Sequence, residues 1–346
     1  MGLYLKNGYL DYNFITRQGM PFNLITGGRG TGKTFGALEY AIRHNIHFML
    51  MRRTLSQMEM ISNPDFSPFN ALNREFDWHY TTVKNTKYTG AVYNAVPDDD
   101  GKLSPAGAPI GYTCALSTIQ NIRGFDGTDI DWLIYDEFIP ERHAKPIRSE
   151  GEAFLNAYET INRNRELQGR PPLVVMALSN SNDLDNAIYR TLDLVGKAEK
   201  MQRNAQEYSV MADRGVLMAN LFDSPISEQK QDTAIYRLTR NTSYADMALK
   251  NSYAEIDATR IGQKINLSAY VPMLGVGDLT VYVHKSNGRV YVSTHRRGTV
   301  TIYGTTDTEL TRLRTLNRWL LYKIVDGVVD YDSTATEIAL KNYLHL

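Results

Sequence analysis

Between residues 22 and 182 the chain repeats one pattern: a short apolar run, a turn, then apolar residues at helical spacing. The runs at 22–26, 47–52, 111–116, 131–135 and 173–179 predict strands, and the spacing predicts helices over 33–45 and about 151–162. This alternation predicts an α/β fold with a mostly parallel sheet covered by helices. Between 78 and 113 the texture changes to short strands with turn signals at Pro97, at Asp98 to Gly101 and at Ser104 to Gly107. Residues 197–214 read as a polar helix joining two units. Beyond Pro225 the pattern becomes strand-rich, with alternation on both sides of Asn287-Gly288, a two-residue hairpin signal. The stretch 309–325 then carries Leu310, Leu313, Leu320 and Ile324 near a helical period. The domains expected are 1–197, a linker helix region over 198–225, and a smaller α+β domain over 226–346.

Composition narrows the class. Of 346 residues 42% are hydrophobic and 22% charged, enough chain for a sizeable core. No apolar stretch approaches the length of a membrane span, so no membrane partner is expected. The single cysteine, Cys114, excludes an intramolecular disulfide framework and a cysteine-rich zinc site. His44, His47 and His143 lack a further ligand at metal-site spacing, and the acidic run at 98–100 reads as a solvated turn. Net charge is zero, but residues 229–346 carry 15 Lys and Arg against 11 Asp and Glu. Eight of those basic residues fall within 285–323, among them Lys285, Arg289, Arg296 and Arg297. Such a cluster suits a phosphate-facing surface and equally an ordinary solvated face.

The chemistry begins at Gly27-Gly28-Arg29-Gly30-Thr31-Gly32-Lys33-Thr34, a complete P-loop between a strand and a helix. Glycines let backbone amides close on anionic oxygens, and the positive end of the following helix adds to the attraction. Lys33 is expected on the β- and γ-phosphates of a nucleotide, with the Thr34 hydroxyl on Mg²⁺. A second acidic site is required, and the apolar run 132–135 ending in Asp136-Glu137 supplies it. At a strand's C-terminal end, Asp136 would hold Mg²⁺ through water, and Glu137 would orient and deprotonate the attacking water. No guanine-recognition NKxD sequence is present, which favours ATP. The stretch before the acidic strand leaves room for the extra strand of P-loop ATPases that use a catalytic glutamate.

Further polar residues lie at strand ends: Arg52 and Arg53 after the second strand, Ser179 and Asn180 after the fifth, with Arg163 and Arg165 following a helix. The segments GGRGTGKT, MRRT, IYDEF, NRNRE and LSN stand in order and at spacings similar to those of one family. The chain resembles the DNA-packaging ATPases of φ29-type podoviruses, relatives of the large terminase motors of other tailed phages. The resemblance implies a ring, a pentamer, that drives double-stranded DNA through a portal into a procapsid, with a packaging RNA as a further partner. It implies a location in the host cytoplasm, transiently on the procapsid and outside the mature virion. Arg29 and Arg53 would contact nucleotide within the subunit, Arg163 would be the finger that enters a neighbour's site, and Arg123 a second trans-acting cation, with Arg165 as a substitute. Ser179 and Asn180 would sense the γ-phosphate and couple its loss to domain motion. Lys84, Lys87 and Lys102 would meet DNA in a central pore. The family carries a lysine-bearing segment after Arg53 where this chain has Thr54-Leu55-Ser56, so no DNA contact is assigned there. The second domain would be an RNase H-like nuclease that has lost its carboxylates. Two other readings stay open on the residues alone: a P-loop helicase or recombination ATPase, and a nucleotide-gated DNA-binding scaffold.

Overall fold

The computed structural model describes residues 2–122, 124–140, 144–181, 183–222, 224–240, 242, 260–262 and 265–346. The chain divides into two units, Met1–Leu194 with Lys200–Tyr253, and Val195–Glu199 with Ala254–Leu346.

The first unit is built on nine strands: β1 (Phe22–Gly27), β2 (Phe48–Arg52), β3 (Tyr80–Lys84), β4 (Thr89–Pro97), β5 (Leu103–Ala115), β6 (Trp132–Asp136), β7 (Val174–Ser179), β8 (Tyr208–Met211) and β9 (Val216–Leu221). Their order is β3-β4-β5-β2-β6-β7-β1-β9-β8. The six strands from β5 to β9 in this order run parallel. β3, β4 and β8 add antiparallel edges. Strands inside such a sheet are covered on both faces, which is why β6 reads Trp-Leu-Ile-Tyr-Asp and is buried throughout. Leu133, Ile134 and Tyr135 are fully covered, and burial of each contributes about 1.5–3 kcal/mol.

Five helices of this unit matter below: α1 (Tyr12–Arg17), α2 (Lys33–Arg43), α3 (Leu55–Ile61), α4 (Phe69–Phe76) and α5 (Glu150–Asn162). α5 buries Phe154, Ala157 and Ile161, spaced three and four apart on one face. Parallel strands deliver their C-terminal ends to one edge of the sheet, so Gly27, Arg52, Asp136 and Ser179 all end there. The strand lying between β1 and β6 is β7, which comes later in the chain than the acidic strand. The extra strand is therefore present, supplied from downstream and not from the segment between the P-loop and Asp136.

The linker expected over 198–225 is corrected. The polar helix stops at Arg203, the backbone turns left-handed at Ala205, and Tyr208–Met211 pairs with β9 at the edge of the main sheet. Strand-forming Tyr208, Val210 and Val216 outweigh the helical reading of this stretch.

The second unit holds β10 (Tyr270–Val276), β11 (Leu279–His284), β12 (Val290–Ser293), β13 (Thr301–Tyr303) and β14 (Val329–Tyr331), in the order β13-β10-β11-β12-β14. β11 and β12 form the expected hairpin around Asn287-Gly288. The single helix expected over 309–325 is two, Asp307–Leu316 and Arg318–Val325. The break is at Asn317, whose amide donates to the Leu313 carbonyl (3.1 Å) and the Tyr303 hydroxyl (3.0 Å). A side chain that bonds back to the helix competes with its continuation.

Candidate active site

The loop between β1 and α2 is shaped for an anion. Gly27 lets β1 approach β9, since a Cβ there would stand 2.6 Å from the Leu221 Cβ. Gly30 and Gly32 have φ of 69° and 85°, a region open chiefly to glycine. The Thr31 hydroxyl donates to the Gly28 carbonyl at 3.0 Å and closes the loop. The Lys33 ammonium lies within the loop, donating to Gly27 O (2.7 Å), Gly28 O (2.8 Å) and the Thr31 hydroxyl (3.2 Å). Burial lowers its pKa to about 7; Asp136 opposes the shift, and Lys230 and Arg29 reinforce it. A buried cation that close to neutrality is unsatisfied electrostatically, and an anion would complete it.

The acidic half of the site comes from β6. The Thr34 hydroxyl donates to Asp136 Oδ1 at 3.0 Å, so the two expected Mg²⁺ ligands already meet. One hydroxyl and one carboxylate offer the hard oxygen donors that Mg²⁺ takes, leaving further positions for water and phosphate. The donor set therefore fits. Glu137 follows with φ of 65°, a left-handed backbone that turns its carboxylate away from the strand. Arg52 Nη1 lies 3.3 Å from both Asp136 Oδ2 and Glu137 Oε2. The Gln57 side-chain amide donates to the same Glu137 Oε2 at 3.0 Å. Gln57 is held by a reciprocal cap with Thr54 at the start of α3. Arg53, Gln57, Glu137, Asn180 and Ser181 line one cleft of about 190 Å³. Asn180 thus faces the same space as Glu137, while Ser179 is buried and donates to the Ile139 carbonyl (3.2 Å).

Two sequence expectations change here. Arg53 edges the cleft but its guanidinium is committed to Glu150, at 2.5 and 2.9 Å, both residues being buried. A partner with full charge and two-point geometry outcompetes a role on nucleotide. Arg165 is also buried, donating to Ile130 O (2.5 Å) and Asp131 Oδ1 (3.0 Å), so it is a structural pin and not a mobile substitute for Arg163. Arg163 itself is exposed, in a left-handed C-cap after α5, and donates to the Phe125 carbonyl at 2.5 Å. Phe125 precedes β6 whereas Asp136 ends it, so Arg163 is anchored to the segment that enters β6 and its own subunit's acids stand at the strand's exit. Arg123 and His143 lie outside the described residues.

The basic residues expected on DNA divide as well. Lys84 and Lys87 flank the turn before β4, while Lys102 follows β4 on the turn into β5. The nine-residue β4 puts about 30 Å between these ends, so the three do not form one surface within a subunit. Lys84 is paired with Glu59 at 2.6 Å and Lys87 lies over the Tyr88 ring. In the second unit Arg289 grips Asp330 with contacts of 2.7–3.1 Å, and Arg296 donates to Gly277 O (2.8 Å) and the Thr280 hydroxyl (3.1 Å). Lys285 donates to the Ser268 carbonyl at 2.7 Å. Arg297 is exposed.

Sequence reasoning missed the contacts of Arg52, Gln57, Glu150 and Lys230, the last of which donates to the Arg29 carbonyl. Arg52 was legible in principle, because it ends the strand that pairs with β6. The other three depend on side chains meeting across 80 to about 200 residues of chain.

A P-loop strand separated by one parallel strand from a strand that ends in Asp136-Glu137 is the arrangement of an α/β P-loop ATPase fold. Over residues 5–323 the chain matches the podovirus DNA encapsidation protein (Gp16) family, and it belongs to that family. Its fold is similar to that of the Phi-28 gp11 DNA packaging motor, with 18% identity, 99% of each chain covered and a TM-score of 0.65. It is equally similar to the bacteriophage Phi-29 viral genome packaging motor assembly, with 20% identity, 99% of each chain covered and a TM-score of 0.65. No curated protein sequence matches the chain. Membership of that family makes the chain a podovirus DNA encapsidation protein.

Proposed function

We propose that this subunit hydrolyses ATP in a homo-oligomeric ring, a pentamer, and uses the energy to move double-stranded DNA through a portal into a procapsid. The observation that carries the reading is the junction of Thr34 with Asp136 and of Arg52 and Gln57 with Glu137 at one strand edge. Lys33 and the loop amides hold the triphosphate. Thr34 and Asp136 hold Mg²⁺, which when bound neutralises charge on the phosphate oxygens. Glu137 orients the attacking water and takes its proton. Both resting contacts fall on Oε2, so Arg52 and Gln57 restrain the carboxylate while Oε1 is engaged by neither. Asn180, across the cleft, registers loss of the γ-phosphate. Arg163, anchored at the entry of β6 and not at its own acids, acts in a neighbouring subunit's site.

The second unit follows DNA without reading sequence. Its likeness to an RNase H-like sheet is supported by the meander β10–β12 with β13 parallel to β10; β14, on the β12 edge, departs from it. A vestigial nuclease is supported by Asp330, whose carboxylate is occupied by Arg289. Arg297 and Lys87 are the strongest candidates for phosphate contacts, and a packaging RNA remains a partner of the assembly. The subunit works in the host cytoplasm, attached to the procapsid during filling and absent from the mature virion.

Mixing Lys33→Ala with Arg163→Ala subunits tests the shared site. Each variant alone is inactive, and mixed rings regain hydrolysis where an intact P-loop faces an intact Arg163. Full activity of Arg163→Ala alone would remove the trans role.

A further inference from the structure

Lys230 is a third cation at the P-loop, contributed from a part of the chain that no phosphate-loop pattern includes. It ends the short helix Pro225–Lys230, which follows β9. That helix is seated by Ser224, whose buried hydroxyl donates to the Gly8 carbonyl at 2.8 Å. The half-buried Lys230 ammonium donates to the carbonyl of Arg29 at the loop's tip. It fills the space beside Gly30, where any Cβ would collide with it. Position 30 is glycine for its φ of 69°, and the absence of a side chain there is what lets the end of Lys230 rest against the loop.

A peptide carbonyl is a neutral acceptor, and a phosphate oxygen is a charged one that forms hydrogen bonds roughly twice as strong. Three cations, Arg29, Lys33 and Lys230, surround the loop, and Asp136 is the acid that acts on Lys33. Burial lowers the pKa of Lys230, as it does that of Lys33. We propose that Lys230 is a nucleotide-phosphate-binding residue of its own subunit, which exchanges the Arg29 carbonyl for the triphosphate when ATP enters. This rests on the ATPase reading and extends the nucleotide site to the segment after β9.

The test is the affinity of the full-length chain for a fluorescent ATP analogue with Mg²⁺, in the wild type, Lys230→Met and Lys230→Arg. Met keeps the aliphatic stem and removes the charge; Arg keeps the charge, so it separates loss of charge from loss of fold. Lys230→Met is expected to weaken binding about tenfold, the loss of one charge-assisted contact, and Lys230→Arg to recover most of it, with melting temperatures matching the wild type. Equal or tighter binding by Lys230→Met overturns the proposal, tighter binding showing that Lys230 obstructs the loop. Failure of the wild type to bind the analogue overturns the ATPase reading itself, a result distinct from parity between variants.

Discussion

Replacing Arg53 by methionine should unfold the first unit at a lower temperature, and replacing Glu150 with it should largely reverse the effect. Arg53→Met leaves the Glu150 carboxylate, 5% exposed, with the Tyr135 hydroxyl at 3.3 Å as the hydrogen-bond donor that stays in place. Uncompensated buried charge of this kind costs about 3–5 kcal/mol. At roughly 2–4 °C per kcal/mol for a unit of this size, melting should fall by about 10 °C. In Arg53→Met/Glu150→Leu no charge is stranded; the Tyr135 hydroxyl loses an acceptor, worth about 1 kcal/mol. The double variant should therefore melt within a few degrees of the wild type. Thermal melting followed by circular dichroism reads both, and the KM for ATP is the second readout. If Arg53 stays on Glu150, the double variant keeps its KM within about twofold, since no phosphate contact is lost. A single variant as stable as the wild type would refute the burial argument. A tenfold rise of KM in a stable double variant would show that Arg53 does reach the nucleotide.

Other consequences can be checked independently. Lys33 has a pKa of about 7 without nucleotide, so at pH 8 it is roughly nine-tenths neutral and must gain a proton to meet phosphate. Calorimetric titration with ATP in buffers of different ionisation enthalpy should show close to one proton taken up at pH 8 and much less at pH 6; no uptake at pH 8 contradicts the assignment. Gln57→Ala removes one restraint on Glu137, and hydrolysis without DNA should rise by up to about tenfold, the weight of a hydrogen bond to a charged group. A fall instead would mean that Gln57 positions Glu137 for attack. Arg289→Ala strands the buried Asp330 and should destabilise the second unit by about 2 kcal/mol. Arg297→Ala should leave stability alone and reduce the slope of log DNA affinity against log salt by about 1. The reverse pattern would exchange their roles.

What the sequence revealed and what it hid follow from range. The P-loop and Asp136-Glu137 were legible because contiguous residues and strand burial dictate them. The parallel strands were legible for the same reason: a strand covered on both faces must be apolar throughout, as β2 and β6 are. The strand β8 was hidden because Tyr208–Met211 is only four residues long and stands one short turn after a polar helix. The two-helix break at Asn317 was hidden because it depends on one amide meeting Tyr303. Cationic side chains were the least legible, since an arginine in a motif can bind a ligand or pin a turn. Arg53 and Arg165 carried the same motif weight as Arg163, and burial with an acid partner separates them from it. The basic cluster at 285–323 was a charge count; Asp330 neutralises Arg289, while Arg296 keeps its charge but is held on the Gly277 carbonyl.

The proposed activity stands on Glu137 driving a hydrolysis coupled to DNA. The most direct measurement is steady-state ATP hydrolysis by the full chain with and without double-stranded DNA, for the wild type and Glu137→Gln. Stimulation of the wild type by DNA, with loss of about 10² or more in the variant while ATP binding is kept, is the predicted result. Hydrolysis indifferent both to DNA and to the loss of the Glu137 carboxylate would contradict it.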